Sequence, residues 1–384
     1  MNTSFKITAG LGLAAWLALC SQAQGFDTGS TGDLGDVVIS SNTTLDLPAD
    51  GKLHYNSLTV ASGARLNFRA NVRNTPVFIL SKGDVIVDGV IDVNGSSASS
   101  SNPTGGVAGP GGFGGGQPGF GAETPPGNGY GPGGGRAGDG GCDSNASAGG
   151  GSFGSGTGRN NGGATYGNAL LIPLVGGSGG AGSSGQPGRG GGGGGGAILI
   201  ASNTRIAIAG TVESRGGGTL TCLSGGSGGA IRLVAPRVEG AGNIDVRSTG
   251  NGGDGRIRVD SIDRSNLRFN FLSASVSTIG GNLITFPPVI PQLDTIEVAG
   301  NAVTLGSGPV VFNLPFGSSP DRTVKIQASG FGRVVPIRVT LTPDSGVPTT
   351  FDAEIDNTTV NPAVATVPVT FPVNTLVTVH CWTR

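Results

Sequence analysis

The sequence predicts an all-β protein whose main body is a right-handed parallel β-helix with a glycine-rich, polyglycine-II-like insertion, followed by a C-terminal β-sandwich. Three observations carry this reading. Short runs of alternating apolar residues recur in register along the chain, glycine fills 76 of 384 positions, and helix signals almost vanish after the first 23 residues.

The recurrence is the strongest of the three. Val77-Phe78-Ile79-Leu80, continuing through Val85-Ile86-Val87 and Val90-Ile91-Asp92-Val93 to Gly95, aligns without a gap with Ile198-Leu199-Ile200-Ala201, Ile206-Ala207-Ile208 and Val212-Glu213 to Gly216. Ile231-Arg232-Leu233-Val234 then leads to Val238, Ile244, Asp245, Val246 and Arg247, one residue shorter before Val238, and Arg256-Ile257-Arg258-Val259-Asp260 begins the unit again. Each copy reads as three short strands joined by turns containing Gly or Asn. A single such coil cannot bury its apolar face, so coils must stack, and strand twist sets the right hand. Val37 and Ile39, Leu45 and Leu47, Leu58 and Val60, and Leu66 and Phe68 continue the scheme upstream, with Gly35, Gly51 and Gly63 at bends. The β-helix is placed at 24–286.

Residues 1–23 read as a secretory signal: Lys6 is followed by an apolar stretch from Ile7 to Leu19, with Ser21 and Ala23 as the small residues of a cleavage site. No later stretch approaches the length of a membrane-spanning helix. Export permits disulfides. Of Cys142, Cys222 and Cys381, the first two lie in glycine-rich connections expected to emerge near one another and form the candidate pair, and Cys381 is left as a buried thiol in the terminal strand.

Long glycine-rich excursions all leave after the third strand of a coil and return just before the first strand of the next. The largest, 96–196, holds 42 of the 76 glycines. Two forms compete for it: a flexible low-complexity loop, or a bundle of extended glycine segments paired laterally, with Leu170–Val175 anchoring it on the solenoid. From 287 to 384 glycine thins, and Val- and Thr-rich strands are expected at Thr295–Val298, Val310–Leu314, Thr323–Ala328, Val334–Leu341, Thr349–Ile355, Ala363–Val369 and Thr375–Trp382. That spacing suits a small immunoglobulin-like sandwich.

The segments Gly-Gly-Ala-Ile-Leu-Ile-Ala (195–201), Gly-Ser-Gly-Gly-Ala-Ile-Arg-Leu-Val-Ala-Pro (226–236) and Gly-Gly-Asp-Gly-Arg-Ile-Arg-Val-Asp (252–260) resemble a group of secreted bacterial glycine-rich β-helix proteins over residues 27 to 260. In composition, the glycine passes resemble the polyglycine-II bundles of phage tail-fibre adhesins. Either resemblance implies surface structure or adhesion and supplies no catalytic residue.

Composition narrows the function classes. Charged residues are 12% of the chain and the net charge is −1, which excludes steering of nucleic acid by bulk positive charge. Two histidines, His54 and His380, fall in different domains and support neither a triad nor a metal site, and no cofactor motif is present. The alignment stacks Asp92, Glu213 and Asp245 on one outward face, an arrangement that would suit Ca²⁺ or acid catalysis, or is simply solvent-facing polarity. Asp84 and Asp88 alternate with Asp92 along its coil. Arg215 and Arg247 align likewise, with Arg232, Arg256 and Arg258 on neighbouring strands. They would bind an acidic polysaccharide or neutralise the carboxylates beside them. Phe113, Phe120, Tyr130, Phe153 and Tyr166 punctuate the insertion and would present rings to a glycan or pack between glycine segments.

The expectation is a secreted or cell-surface structural and adhesive protein without catalysis, whose partner is a glycan or another surface protein. The alternative is a polysaccharide-binding or polysaccharide-degrading β-helix enzyme using the Asp92, Glu213, Asp245 face. Ice or mineral binding would need regular Thr arrays that the sequence lacks.

Overall fold

The computed structural model describes residues 25–98, 104–119, 125–138, 148–157, 161–184, 188–218, 224–272, 276–307, 310–344 and 347–383. Among them there is no α-helix, and the strands fall into five sheets. The predicted signal segment, Phe120, Cys142 and Cys222 lie outside the described residues.

Three sheets are parallel. Sheet A contains β1 (Asp36–Ile39), β4 (Ser57–Val60), β7 (Val85–Val87), β10 (Arg205–Ile208) and β13 (Arg237–Glu239). Sheet B contains β2 (Thr43–Asp46), β5 (Arg65–Arg69), β8 (Val90–Asp92), β11 (Thr211–Glu213), β14 (Asn243–Asp245) and β16 (Asn270–Leu272). Sheet C contains β3 (Lys52–Tyr55), β6 (Val77–Ser81), β9 (Ala197–Ser202), β12 (Ala230–Val234), β15 (Arg256–Asp260) and β17 (Ser277–Gly280). The chain visits A, B and C in turn, so strands that pair come from successive circuits. This connectivity is compatible with a parallel β-helix.

Register is set by the inward residues. In sheet C, Leu53, Ile79, Ile200, Leu233 and Val259 form one continuous column of paired positions, and in sheet B Leu66, Ile91, Val212, Ile244 and Phe271 form another. Both columns belong to a single core with Leu58, Val85, Ile206 and Val238 of sheet A. Each fully buried aliphatic side chain contributes about 1.5–3 kcal/mol. A slip of one residue would turn the whole set outward.

Strands β9 and β12 are buried at every position, unlike the half-buried alternation of β3 and β4. Their outer face is covered. Leu80, Leu199, Ala201 and Val234 pack under Phe26, Leu174, Leu283 and Phe286, while Ala197 and Ala230 pack under Phe153, Tyr166 and Leu171. Segment 281–286 is also fastened by charge. Arg232 donates to the carbonyls of Ile284 (2.6 Å) and Thr285 (3.3 Å), and the Asn282 amide donates to Asp260 at 3.0 Å.

The glycine-rich connections join β8 to β9, β11 to β12 and β14 to β15, so all three occupy the corner between sheets B and C. Segment 190–196 shows how they are built. The amides of Gly191 and Gly194 donate to Gly116 and Phe113, those of Gly192 and Gly195 to Ser224 and Ser227, and those of Gly193 and Gly196 to Ser96 and Val93. The carbonyls follow the same order: Gly191 and Gly194 accept from Gly106 and Gly109, Gly192 and Gly195 from Gly180 and Gly177, and Gly193 from Gly217. Hydrogen-bond direction therefore repeats every third residue, and six segments surround the central one. A Cβ on Gly191 would lie 1.9 Å from the Gly180 oxygen and one on Gly194 2.1 Å from the Gly177 oxygen, so close packing admits only glycine here.

The C-terminal residues form two antiparallel sheets. One contains β18 (Gln292–Val298), β19 (Asn301–Ala302), β20 (Asp321–Ser329) and β23 (Ala363–Thr370); the other contains β21 (Val334–Pro343), β22 (Thr349–Asp356) and β24 (Val377–Thr383). Their inward residues, among them Val324, Ile326, Val335, Ile337, Val339, Ile355 and Val367, share one core. Val310–Leu314, read from the sequence as a strand, is not one. Only Glu297 and Val298 of the β18 edge are paired, with β19, and Val310, Val311 and Leu314 remain exposed. No strand pairs with it, so β-propensity alone leaves the segment irregular.

The lateral bonding generates a direct test. Gly191→Ala should lower unfolding stability by about 3 kcal/mol or more through forced separation of neighbouring segments. Gly156→Ala, at an exposed glycine with no atom near the added carbon, should leave it unchanged or raise it by about 0.4–1 kcal/mol. Denaturant titration of the two variants checks both.

Candidate functional site

The outward carboxylates of sheet B are brought together as a ladder. Glu213 on β11 pairs in register with Asp92 on β8 and with Asp245 on β14. Adjacent strands lie about 4.8 Å apart, so three bare carboxylates stacked in this way would repel one another. Arginines remove the conflict. Arg65 of β5 places Nη1 2.5 Å from both Asp92 Oδ2 and Glu213 Oε1. Arg247 grips Asp245 with Nε at 3.0 Å and Nη2 at 2.9 Å. Arg215 lies between, 3.8 Å from Glu213 and 4.0 Å from Asp245. Glu213 and Asp245 are buried, 7% and 3% exposed, and Asp92 also accepts the Asn94 amide at 2.8 Å.

The guanidinium shifts follow from these contacts. The hydrogen bond to Glu213 holds the Arg65 pKa above its ordinary value, and the bond to Asp245 does the same for Arg247. Of the two roles open to these residues, the geometry favours neutralisation: three carboxylates face three guanidiniums, rung by rung. Arg65 had no signal in the repeat alignment, because the positions paired with it carry Val90 and then Thr211.

A second charged ladder, on sheet A, also escaped the sequence. Arg205 binds Asp84 through Nη2 at 2.6 Å and Glu239 through Nη1 at 3.0 Å, while Arg237 binds Glu239 at 2.5 Å and approaches Asp263 at 3.7 Å. Partial desolvation works against the Glu239 carboxylate, but hydrogen bonds from Arg237 and Arg205 hold its pKa below the ordinary value. In-register Arg205 and Arg237 would repel without that shared partner.

The remaining arginines singled out are engaged elsewhere. Arg232 and Arg258 converge on the buried Asp260, Arg258 with Nη2 at 2.5 Å and Arg232 with Nη2 at 3.5 Å. Burial pushes the Arg232 pKa down. Both side chains are buried, Arg232 beneath segment 281–286, which corrects their reading as polysaccharide ligands. Arg256 lies over the Phe153 ring at 5.6 Å and donates to the Tyr166 carbonyl.

The described aromatic residues of the insertion are packed too. Phe153 is fully buried against Tyr166, with ring centroids 4.6 Å apart, and the Tyr166 hydroxyl donates to Gly176 O at 2.6 Å. Phe113 meets Trp382 edge-on at 5.3 Å, Tyr130 meets His380 at 6.4 Å, and His380 stacks on Trp382 at 5.0 Å. Strand β24 therefore docks on the glycine-rich body through the rings expected to face a ligand. Burial lowers the His380 pKa to about 4 and pushes the neighbouring Cys381 thiol up to about 12. Cys381 is free and inert by that measure.

One open groove of about 560 Å³ adjoins the ladder. Its lining includes Asn67, Arg69, Asp92, Asn94 and Ser96 together with Phe68, Val93 and Val107 to Pro110 of the insertion. Among the described residues no group of His, Cys, Asp and Glu has the arrangement of a metal site.

In comparisons with protein-family models, with curated proteins and with solved structures, the chain matches none. The resemblances drawn from the glycine-rich segments thus gain no support there, and the functional argument rests on the residues themselves.

Two measurements probe this geometry. Arg65→Ala leaves Asp92 and the buried Glu213 adjacent without their shared cation, and should cost about 1–3 kcal/mol at neutral pH in denaturant unfolding, whereas Arg69→Ala, whose partner Asp46 is exposed, should cost under about 1 kcal/mol.

His380 predicts a pH dependence. Its folded pKa lies below the unfolded value, so the unfolded chain binds the proton more readily. Stability is complete above pH 6.5 and falls as pH drops from there toward about 4. Asp344, whose pKa burial raises, acts in the opposite sense, and Tyr130 stays neutral throughout. The unfolding midpoint followed by Trp382 fluorescence should drop over this window in the native chain and much less in His380→Phe.

Proposed function

We propose that this is a secreted or cell-surface structural and adhesive protein: a right-handed parallel β-helix that carries a polyglycine-II bundle on one corner and ends in an immunoglobulin-like sandwich. The observation that carries the reading is the threefold repeat of hydrogen-bond direction along Gly191–Gly196, with six segments packed around it. Three residues per turn is the period of the extended polyglycine and polyproline II helix. A body built this way has its amides and carbonyls turned on one another, so it gains rigidity and resistance to proteolysis rather than reactive groups. The right hand follows from the twist rule for parallel strands joined by crossovers.

The neutralised ladders support the same role. Charge-paired side chains that bridge Asp92, Glu213 and Asp245, or Asp84, Arg205 and Glu239, clamp successive coils along a stalk. Adhesive contact then falls to exposed side chains, because the bundle's backbone amides and Phe113 and Tyr130 are engaged internally. A glycan or another surface protein remains the partner class, and the signal-like first 23 residues are the basis for export.

One observation favours a second reading. The groove beside Asp92 is open, and Asn67, Arg69 and Asn94 are among its lining residues, groups able to hydrogen-bond a polysaccharide strand. Incubating the full chain with acidic and neutral polysaccharides should release no new reducing or unsaturated ends, while protease shaving of intact cells should release the protein. Cleavage activity abolished by Asp245→Ala would replace the structural reading with the enzymatic one.

A further inference from the structure

The stack of coils has two ends, and they are finished differently. At the first coil the outer edge of β3 is closed from within the chain: the Leu34 amide donates to His54 O at 2.9 Å, and the Asn56 amide donates to Gly35 O at 2.8 Å. The same end is acidic. Asp27, Asp33, Asp36, Asp46 and Asp50 fall between Gly25 and Gly51 with no Lys, Arg or His among them. Lys52 and Arg69 pair with Asp50 and Asp46, and the other three form no ion pair among the described residues.

The last coil is open. Strands β16 and β17 end sheets B and C. The Asn270 amide and the Leu272 carbonyl bond toward β14, and the Gly280 carbonyl toward β15. Backbone direction alternates along a strand, so the groups of Phe271 and Ile279 point away from the stack, where no described residue bonds them. The core is open there too. Ile279 continues the inward column of sheet C above Val259, yet Val259 is fully buried and Ile279 is 46% exposed. Phe271, above the buried Ile244, is only half-buried.

The chain itself leads away from this end. Segment 281–286 runs back along the outer face of sheet C, past Arg232, until Phe286 lies 5.2 Å from the Phe78 ring and 5.2 Å from Lys52 Nζ. The sandwich therefore starts beside the early coils, where Arg73 Nε donates to Gly306 O at 2.8 Å.

We propose that the C-terminal end of the coil stack is a twofold interface for a second copy of this chain, with the last coils of two protomers laid edge to edge. An occupant must satisfy neighbouring strand edges and cap the apolar interior between them. One added peptide strand pairs a single edge and leaves that interior wet, whereas another coil does both. Of the two coil ends this chain offers, the first is unsuitable: its β3 edge is occupied, so it cannot take β17 of a neighbour. The last coil suits its own copy. Asn270–Leu272 and Ser277–Gly280 carry no charge, and the adjoining connection holds both signs in Asp263, Arg264 and Arg268, so like ends meet without uniform repulsion. A contact of this kind closes on itself, giving a dimer and no fibre. The assignment stands whether or not the protein is adhesive.

The test is the mass of the full chain by light scattering across a dilution series, with amide exchange at both ends of it. The native chain should reach twice the monomer mass below about 0.1 mM. The amides of Phe271 and Ile279 should exchange more slowly in the dimer. Ile279→Lys, which buries a charge in the contact, should weaken dimerisation about tenfold or more with an unchanged circular dichroism spectrum. Val38→Lys, at an exposed position of β1 in the first coil, should leave the dimer intact. A native chain that stays monomeric overturns the proposal, as does a dimer that folded Ile279→Lys retains or that Val38→Lys dissolves. Should Ile279→Lys fail to fold, exchange in the native chain decides: slowing on dimerisation elsewhere than β16 and β17 overturns the assignment.

Discussion

The structure depends on one constraint: an extended glycine segment buried among others must satisfy every backbone amide and carbonyl sideways. It has no side chain to bury, so the apolar transfer that offsets ordering entropy in the coils is missing from the bundle. What remains is the hydrogen bond, whose loss in a dry interior costs about 1–3 kcal/mol per orphaned group. Six neighbours around 190–196 meet that demand, since threefold bonding points successive amides in three directions. The glycines follow from this geometry, because carbonyl oxygens from neighbouring segments occupy the space any Cβ would need.

The same constraint ties the bundle to the coils. Segment 190–196 runs straight into β9, 224–229 into β12, and 251–255 into β15, so coil stacking sets the spacing of the glycine segments that precede each strand. Leu171 and Leu174 close the arrangement from outside by covering the outer faces of β9 and β12. This explains why β9 is apolar on nearly every position of both faces, and why the outer face of β12 is buried with Arg232 as its one charged residue, when a half-exposed strand ordinarily alternates.

Much of the parallel architecture was legible because its signal is local and repetitive. A gapless alignment of Val77–Gly95 with Ile198–Gly216 predicts that Ile79 lies on Ile200 and Asp92 on Glu213, and both pairings occur. What the alignment could not supply were contacts between unlike positions. Arg65 reaches diagonally to Asp92 and Glu213 from a column that otherwise holds Val90 and Thr211. Arg232 and Arg258 look solvent-facing by periodicity, yet Arg232 is buried because residues 281–286, some fifty positions on, fold back over it. Val310–Leu314 failed for the converse reason. Propensity promised a strand, but no strand of either sheet pairs with the segment, and pairing is decided by the whole sheet rather than by local composition.

Contact between the glycine-rich body and β24 shows how the two kinds of packing meet. A glycine surface is smooth and hydrogen-bond saturated, so it offers a neighbouring domain almost nothing to grip. Phe113 and Tyr130 are exceptions in otherwise glycine-rich segments, and each meets a ring from alternate positions of β24, Trp382 and His380. Period-two spacing along β24 brings both rings to one face, while Cys381 between them turns toward the sandwich core. The histidine is neutral in this setting because burial disfavours its charged form. Two aromatic side chains thus anchor a domain that backbone contacts alone could not hold, and their sparse placement in the glycine sequence is what leaves the rest of the bundle free to pack at backbone distance.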